Sequence, residues 1–338
     1  MRAPLAFLFF ALLIGASARD DAVVVDEETE RVIAGALRWL SANQAPNGSW
    51  SSKGGRQRGE HSVAMTGYSL IALMAAGNLP EEGEYAKVVD SGMRFLLDSM
   101  QPDGEYRDVE AGHYMYSHGV ATIALSELYG QTQHAAIRAK LERAIRLILE
   151  SQATQGEHSG GWRYQPRPGD ADVSVTVLQV VALRSAKNAG FAVPQRTIDE
   201  AIAYVKRCQD PGSGGFSYQA NRRDPGFART AAAIYSLQVC GLYEDPMVAA
   251  GAQYLMGNSN PNQQWWTYGC NYAGPAMYMI GGDTWRTWYD LQRIQYLKTV
   301  KREGDQCWWD GEIGAVYCTA AYATILAMPW HYLPLYQR

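Results

Sequence analysis

The feature that most narrows what this chain can fold into is an internal repeat. An apolar residue stands five positions ahead of a glutamine at Trp39/Gln44, Leu96/Gln101, Leu147/Gln152 and Tyr204/Gln209. A glycine-containing turn ending in an aromatic follows each glutamine: Asn47-Gly48-Ser49-Trp50, Asp103-Gly104-Glu105-Tyr106, Gly160-Gly161-Trp162 and Gly214-Gly215-Phe216. Successive glutamines are 57, 51 and 57 residues apart. A fixed period of this kind marks a chain built from one supersecondary unit used several times. Two degenerate copies complete it, Tyr254 leading to Asn258 and Trp265, and Tyr296 leading to Trp308 and Trp309.

Each unit carries two segments of different character. The one ahead of the glutamine is amphipathic, as where Ile137, Leu141, Ala144, Ile145 and Ile148 stand among Arg138, Lys140, Glu142 and Arg143. That 3.6-residue spacing predicts a helix with one buried and one wet face. The segments after the turns (62–77, 116–130, 173–190, 229–241, 272–282 and 316–328) are almost free of charge, and most end at glycine, a common C-cap because it accepts a left-handed backbone. A helix apolar on nearly all sides must be enclosed by others. An open solenoid would expose its last inner helix or need a polar cap. Residues 316–330 are as apolar as the middle units, so the ends are expected to meet. The expectation is an all-α chain, an (α/α)6 toroid of six outer and six inner helices.

The N-terminus points to a compartment. Met1-Arg2, the apolar run 5–14 and Ala16-Ser17-Ala18 form the pattern of a cleaved signal peptide, and the run is too short to span a bilayer. We expect a signal peptide at 1–18 and a single toroid domain at 19–338, secreted or periplasmic, with no transmembrane segment in the mature chain. A net charge of −4 argues against a nucleic-acid partner, which calls for a clustered basic face. The five cysteines, Cys208, Cys240, Cys270, Cys307 and Cys318, are odd in number and contain no C-x-x-C pair. Neither a disulfide framework nor a zinc knuckle is indicated, and buried thiols are the default reading.

The pattern Trp39-Leu40…Gln44…Gly48-Ser49-Trp50 and its copies resemble the glutamine–tryptophan repeat of squalene cyclases and protein prenyltransferase β subunits. The likeness extends to the exported single-ring bacterial proteins of the prenyltransferase and squalene oxidase repeat family. It covers nearly the whole mature chain and implies a toroid whose inner helices line a cavity for an isoprenoid chain.

Three chemistries follow for weighing. Asp170-Ala171-Asp172-Val173-Ser174 begins an inner helix where squalene cyclases have an Asp-x-Asp-Asp-Thr stretch that protonates an alkene; here Val173 replaces the last Asp. By that resemblance Asp172 would be the general acid and Asp170 its neighbour. Either could equally N-cap the helix. Aromatic faces stabilise carbocations, and Tyr114, Tyr116, Trp265, Trp266, Tyr268, Tyr272, Tyr278, Trp308 and Trp309 could line a cavity, though such residues also suit sugars or an ordinary core. Asp305-Gln306-Cys307 resembles the first zinc ligands of the prenyltransferases, but Cys318 stands where that family has His. Prenyl transfer is thus the lesser alternative, with Asp305, Cys307 and Cys318 as weak metal candidates and no cofactor expected. The third chemistry is polysaccharide cleavage, as a lyase or hydrolase, by carboxylates among Asp103, Glu105, Asp108 and Glu110.

Polar residues near the start of inner segments suggest a site at one end of the ring, because polar groups buried there need partners. His118 is a catalytic candidate. His61, Tyr116, Arg229, Trp265, Tyr268 and Tyr272 are ligand-binding candidates. The expected partner is an apolar or isoprenoid-like small molecule, with proton-initiated cyclisation as the chemistry if there is any. The alternative is a non-catalytic toroid that binds a protein or lipid, its bore filled by its own side chains such as Trp330-His331-Tyr332.

Overall fold

The computed structural model describes residues 23–52, 61–108, 113–167 and 169–337; the expected signal peptide lies outside the described residues, as does Glu110. Twelve α-helices alternate along the described chain: α1 (Glu27–Ala42), α2 (Ser62–Ala75), α3 (Ala86–Ser99), α4 (Tyr114–Thr132), α5 (Ala135–Glu150), α6 (Val173–Asn188), α7 (Gln195–Arg207), α8 (Phe227–Val239), α9 (Pro246–Gly257), α10 (Trp266–Ile280), α11 (Gly282–Thr299) and α12 (Ala315–Ala327). The even-numbered helices are the inner ones. In α2 every residue after Ser62 is buried, and in α12 every residue after Ala315. In outer helix α5 only Ile137, Leu141, Ala144, Ile145 and Ile148 are buried. Each inner helix packs on the next, and α12 returns to α2. The ring is closed, an (α/α)6 toroid, and no capping repeat is needed.

The repeat turn has a physical logic. Its aromatic is buried under the outer helix that precedes it and donates its ring N–H to that helix's last turn: Trp50 to Leu40 O at 2.7 Å, Trp162 to Ile148 O at 2.8 Å, Trp309 to Tyr296 O at 3.0 Å. The indole takes the second lone pair of a last-turn carbonyl that already accepts one backbone N–H from the helix C-cap, which pins the turn to the helix end. The glutamine ties the turn to the next outer helix. Gln44 Nε2 donates to Gly48 O at 3.0 Å and Val88 O at 2.9 Å; Gln152 Nε2 donates to Gly160 O at 3.0 Å and Thr197 O at 2.9 Å. The turn glycine is obligatory at this junction. Gly160 has φ +94°, and a Cβ there would lie 2.0 Å from Glu200 O. Such a backbone favours glycine in any case.

Three local departures from the repeat occur. The fifth turn exposes Trp265, held at φ +62°, and buries Trp266 instead, stacked 4.7 Å from Phe227; α10 consequently begins six residues earlier than its charge-free stretch suggests. The sixth unit inserts a hairpin, β1 (Lys301–Glu303) paired antiparallel with β2 (Gln306–Trp308). After α12, the tail makes short 3₁₀ turns at Met328–Trp330 and Pro334–Tyr336 and packs against α6 and α10. No helix of the described residues is long and apolar enough to cross a membrane.

Candidate functional site

The inner helices run parallel, so their N-termini gather at one end of the ring. The segment before α6 places Arg163 there. Its guanidinium lies 3.1 Å from Asp170 and 2.5 Å from Asp172, donates to Tyr218 Oη at 2.6 Å, and sits 3.9 Å over the Tyr164 ring. Tyr164 and Tyr218 share a short hydrogen bond. His113 stacks on Tyr164 with ring centroids 4.0 Å apart, and Tyr116 stacks on the same Tyr164 ring at 6.0 Å. Arg229 pairs with Asp224 at 2.8 Å and lies 5.9 Å from the Tyr218 ring.

Asp172 is fully buried, and both of its oxygens are engaged. Oδ1 accepts from Val175 N–H at 2.9 Å as the N-cap of α6, and Oδ2 takes the Arg163 guanidinium. Burial holds its carboxyl above the ordinary range, against the opposing pull of Arg163 and the cap amide. Asp170 is the solvent-side partner of the same guanidinium and accepts from Gln219 at 3.2 Å. The two acids that sequence reading singled out therefore come together, around a cation, Arg163, that it did not single out. The signal available was position, since Arg163 directly follows the turn aromatic Trp162, as Arg107 follows Tyr106.

The bore is closed just below this end by tyrosines. Tyr268 of α10 reaches across the ring and donates to Ser174 O of α6 at 2.9 Å. Tyr268 packs edge-on to Tyr272 at 4.9 Å, and Tyr68 edge-on to Tyr317 at 4.8 Å. Burial pushes the Tyr68 phenol up to about 12. Beneath them all six inner helices contribute to a central cavity, among them Tyr68 and Ile71, Ile123, Leu178, Tyr235, Tyr272 and Thr324. Its free volume is only about 30 Å³, room for a water or two, because Leu335 and Tyr336 of the tail enter it from the far end. A bore filled by terminal side chains belongs to the alternative reading, and the residues that enter are Leu335 and Tyr336 rather than Trp330-His331-Tyr332; Tyr332 lies outside, over Gly77, and is half exposed.

Below the cavity, Glu127 of α4 is 3 % exposed. It accepts from Ser185 Oγ and from the Leu335 N–H, the latter at 3.3 Å. Burial raises its carboxyl to about 7, and no cation pairs with it among the described residues. Glu127 escaped sequence reading because one acid inside an apolar helix looks like a solvated residue until the ring is closed around it.

Other expectations are corrected by the geometry. His118 does not face the bore. Its Nδ1 accepts from Tyr106 N–H at 3.1 Å, and its Nε2 lies 3.0 Å from Ala144 O on outer helix α5. Desolvation lowers it to about 4, so the ring is neutral. It occupies the place of Thr66, Thr176, Thr230 and Thr319, whose hydroxyls accept the turn amides of Trp50, Trp162, Phe216 and Trp309. Asp108 is a clamp between helices, accepting from Val63 N–H at 2.8 Å and Ser117 Oγ at 2.6 Å. Asp103 and Glu105 pair with Arg107. His61 stands half-buried before α2. The metal candidates separate: Asp305 pairs with Arg38 at 3.0 Å, Cys307 packs on Gly35, and Cys318 lies against Gly311 and Thr267. No group of three His, Cys, Asp or Glu among the described residues could hold a metal ion. All five thiols are unbridged.

No protein-family model and no curated protein sequence matches the chain. Solved structures do. Cellobiose 2-epimerase from Bacillus thermoamylovorans superposes with a TM-score of 0.66 at 13 % identity, covering 90 % of this chain and 98 % of its own. The GH76A α-1,6-mannanase of Salegentibacter sp. HEL1_6 gives 0.63 at 10 %, covering 90 % and 100 %. The type II terpene cyclase MstE from Scytonema, solved with its product merosterolic acid A, gives 0.62 at 11 %, covering 90 % and 98 %. Identities this low speak for the fold alone, and what the chain has in common with all three is the (α/α)6 toroid.

Proposed function

We infer that this protein is an exported toroidal binding protein for an apolar or isoprenoid-like small molecule, held in the bore and not chemically changed there. The observation that carries this reading is the contrast between the bore and the acids. All six inner helices turn apolar and phenolic side chains into one central space, the lining an apolar ligand needs. The residue best placed by resemblance to start a cyclisation, Asp172, has both oxygens committed to a cap amide and a guanidinium. A carboxylate so held is a poor donor of a proton to an alkene, which demands an acid kept protonated. Cleavage of a polysaccharide by paired carboxylates is supported less well. Asp108 has both oxygens engaged in joining α2 to α4, and Asp103 and Glu105 share Arg107.

The test is incubation of the purified mature protein with squalene, linear polyprenes and α-1,6-mannan, followed by mass spectrometry of what is retained and what is formed. Retention of a polyprene without conversion is the expected result. A cyclic product that disappears in Asp172→Asn would make the protein a cyclase, and shortened mannan would make it a glycosidase.

A further inference from the structure

The tail is bound to the ring as a ligand would be. Leu335, 3 % exposed, supplies an apolar body, and Tyr336 lines the same cavity as Tyr68, Tyr235 and Tyr272. On the Pro334 side of Leu335, its backbone N–H donates to Glu127 at 3.3 Å. The other hydrogen bonds of this turn stay within the tail, Tyr336 N–H to Leu333 O at 3.2 Å and Gln337 N–H to Pro334 O at 3.0 Å. A second crevice runs along the seam between the tail and the ends of α2, α10 and α12. The tail turns inward at His331, whose backbone is left-handed at φ +62°. The segment is thus held by its insertion and a few polar contacts, not by a continuous ladder.

Glu127 is the unusual part. A carboxyl this deeply buried is ordinarily matched by a cation, and its partners here are one hydroxyl and one amide. The titratable groups whose charge couples to it are the phenols of Tyr235 on α8 and Tyr336 on the tail; Arg184 on α6 acts on Tyr235 and makes no ion pair with Glu127 among the described residues. A buried carboxylate without a cation, beside a cavity lined by tyrosines such as Tyr235 and Tyr336, is a place that favours an organic ammonium, through ion pairing with cation–π attraction in the cavity next to it.

We propose that the tail is a built-in stand-in for the ring's ligand, and that this ligand is an amphiphile with an apolar body and an ammonium head. It displaces Leu335 and Tyr336 and gives Glu127 the cation it lacks. The inference rests on the reading of the bore as an apolar binding site and adds the head group and the competition with the tail.

The experiment is calorimetric titration of the full mature chain at neutral pH with dodecylamine and, separately, dodecanol, each below its aggregation threshold. Dodecylamine is expected to bind about tenfold tighter or more, the equivalent of one good charge-assisted contact. In Glu127→Gln the amine's advantage disappears and the alcohol's affinity stays. In the tail double variant Leu335→Ala/Tyr336→Ala both ligands bind tighter, because less must be displaced. Equal affinities of the wild type for amine and alcohol would overturn the ammonium head while leaving the apolar bore standing. An amine advantage that survives Glu127→Gln would also overturn it. Unchanged affinities in the tail variant would overturn the competition. Binding of neither ligand by the wild type or the tail variant would remove the apolar-site reading as well. Should Glu127→Gln fail to fold, the amine-to-alcohol ratio of the wild type decides alone.

Discussion

Each end of the ring buries an acid deep among the inner helices, Asp172 at one and Glu127 at the other, and the two are held in opposite ways. At the N-terminal end Asp172 has a guanidinium at 2.5 Å, a helix-start amide at 2.9 Å and no exposure. At the C-terminal end Glu127, 3 % exposed, has a hydroxyl and a single amide that belongs to a separable tail. A buried charge is tolerated when its partners replace the water it lost. The first site meets that condition with groups fixed to α6 and to the turn before it. The second meets it only in part, which is why the Glu127 carboxyl titrates near 7. The lesson is that burial of an acid is not in itself a sign of chemistry. The fully partnered acid is holding a helix start in place, and the under-partnered one marks the place where something else can bind.

The largest expected effect breaks the first site. Arg163→Met removes the cation and leaves Asp172 buried with its cap amide and the Tyr218 hydroxyl, and no charge to balance it. Breaking a buried pair from one side costs about 3–5 kcal/mol, to be read from denaturant unfolding. Adding Asp172→Asn should recover most of that loss, because asparagine still caps a helix and carries no charge. A double variant as unstable as Arg163→Met would mean that Arg163 acts through its packing on Tyr164 and Tyr218 rather than through the ion pair.

How much of this was legible beforehand differs between the ends for a physical reason. The ring was legible because each turn repeats one local arrangement, with Gln44 and Gln152 fastening neighbours and Trp50, Trp162 and Trp309 capping outer helices. Those contacts recur at nearly constant spacing, so the spacing carries them. The clustering of Asp170, Asp172, Tyr116 and Arg229 near one end was legible from their places at helix starts. The role of His118 could have been found by aligning it with Thr66 and Thr176, which sit at the same turn of their helices; reading it alone made it a catalytic candidate. That the terminus could plug the bore was legible only as an alternative, and the plugging residues were not. Leu335 and Tyr336 follow no period, and their burial depends on six helices first making a hole to receive them. Arg163 and Glu127 were missed on the same ground, because the partners that define them lie 9 and 208 residues away in sequence.

The second expected effect sharpens the contrast through pH. The folded-state carboxyl of Glu127 sits at about 7 against an ordinary 4.5, so the folded chain binds the proton more tightly than the unfolded chain does. Its protonated form is the stable one. The stabilisation is fully present below pH 4.5, falls as the pH rises from there to about 7, and is level above that. The whole window is worth about 3 kcal/mol by the free energy of a shift this size. Other buried groups titrate too, so the measurement is the difference between wild type and Glu127→Gln. That difference should grow in favour of the glutamine variant from pH 4.5 to 7 and then stay flat.

The smallest expected effect separates the rim of the N-terminal site from its interior. Asp170 contacts the same guanidinium as Asp172, at 3.1 Å, yet its side chain is 42 % exposed. Water and salt screen it, and exposed pairs of this sort are worth about 0–1 kcal/mol. Asp170→Asn should therefore lower stability by about 0.5 kcal/mol at most, less than a fifth of the Arg163→Met effect, with the loss vanishing in high salt. Gln219 keeps its bond to Ala171 O at 3.0 Å when Asp170 changes, so the loop has a second anchor. A loss that approaches that of Arg163→Met and resists salt would show that both acids and Arg163 act as one buried unit. The N-terminal end would then hold a preformed charged constellation in place of a capped helix with a solvent-facing neighbour, and the two ends of the ring would be more alike than their exposures suggest.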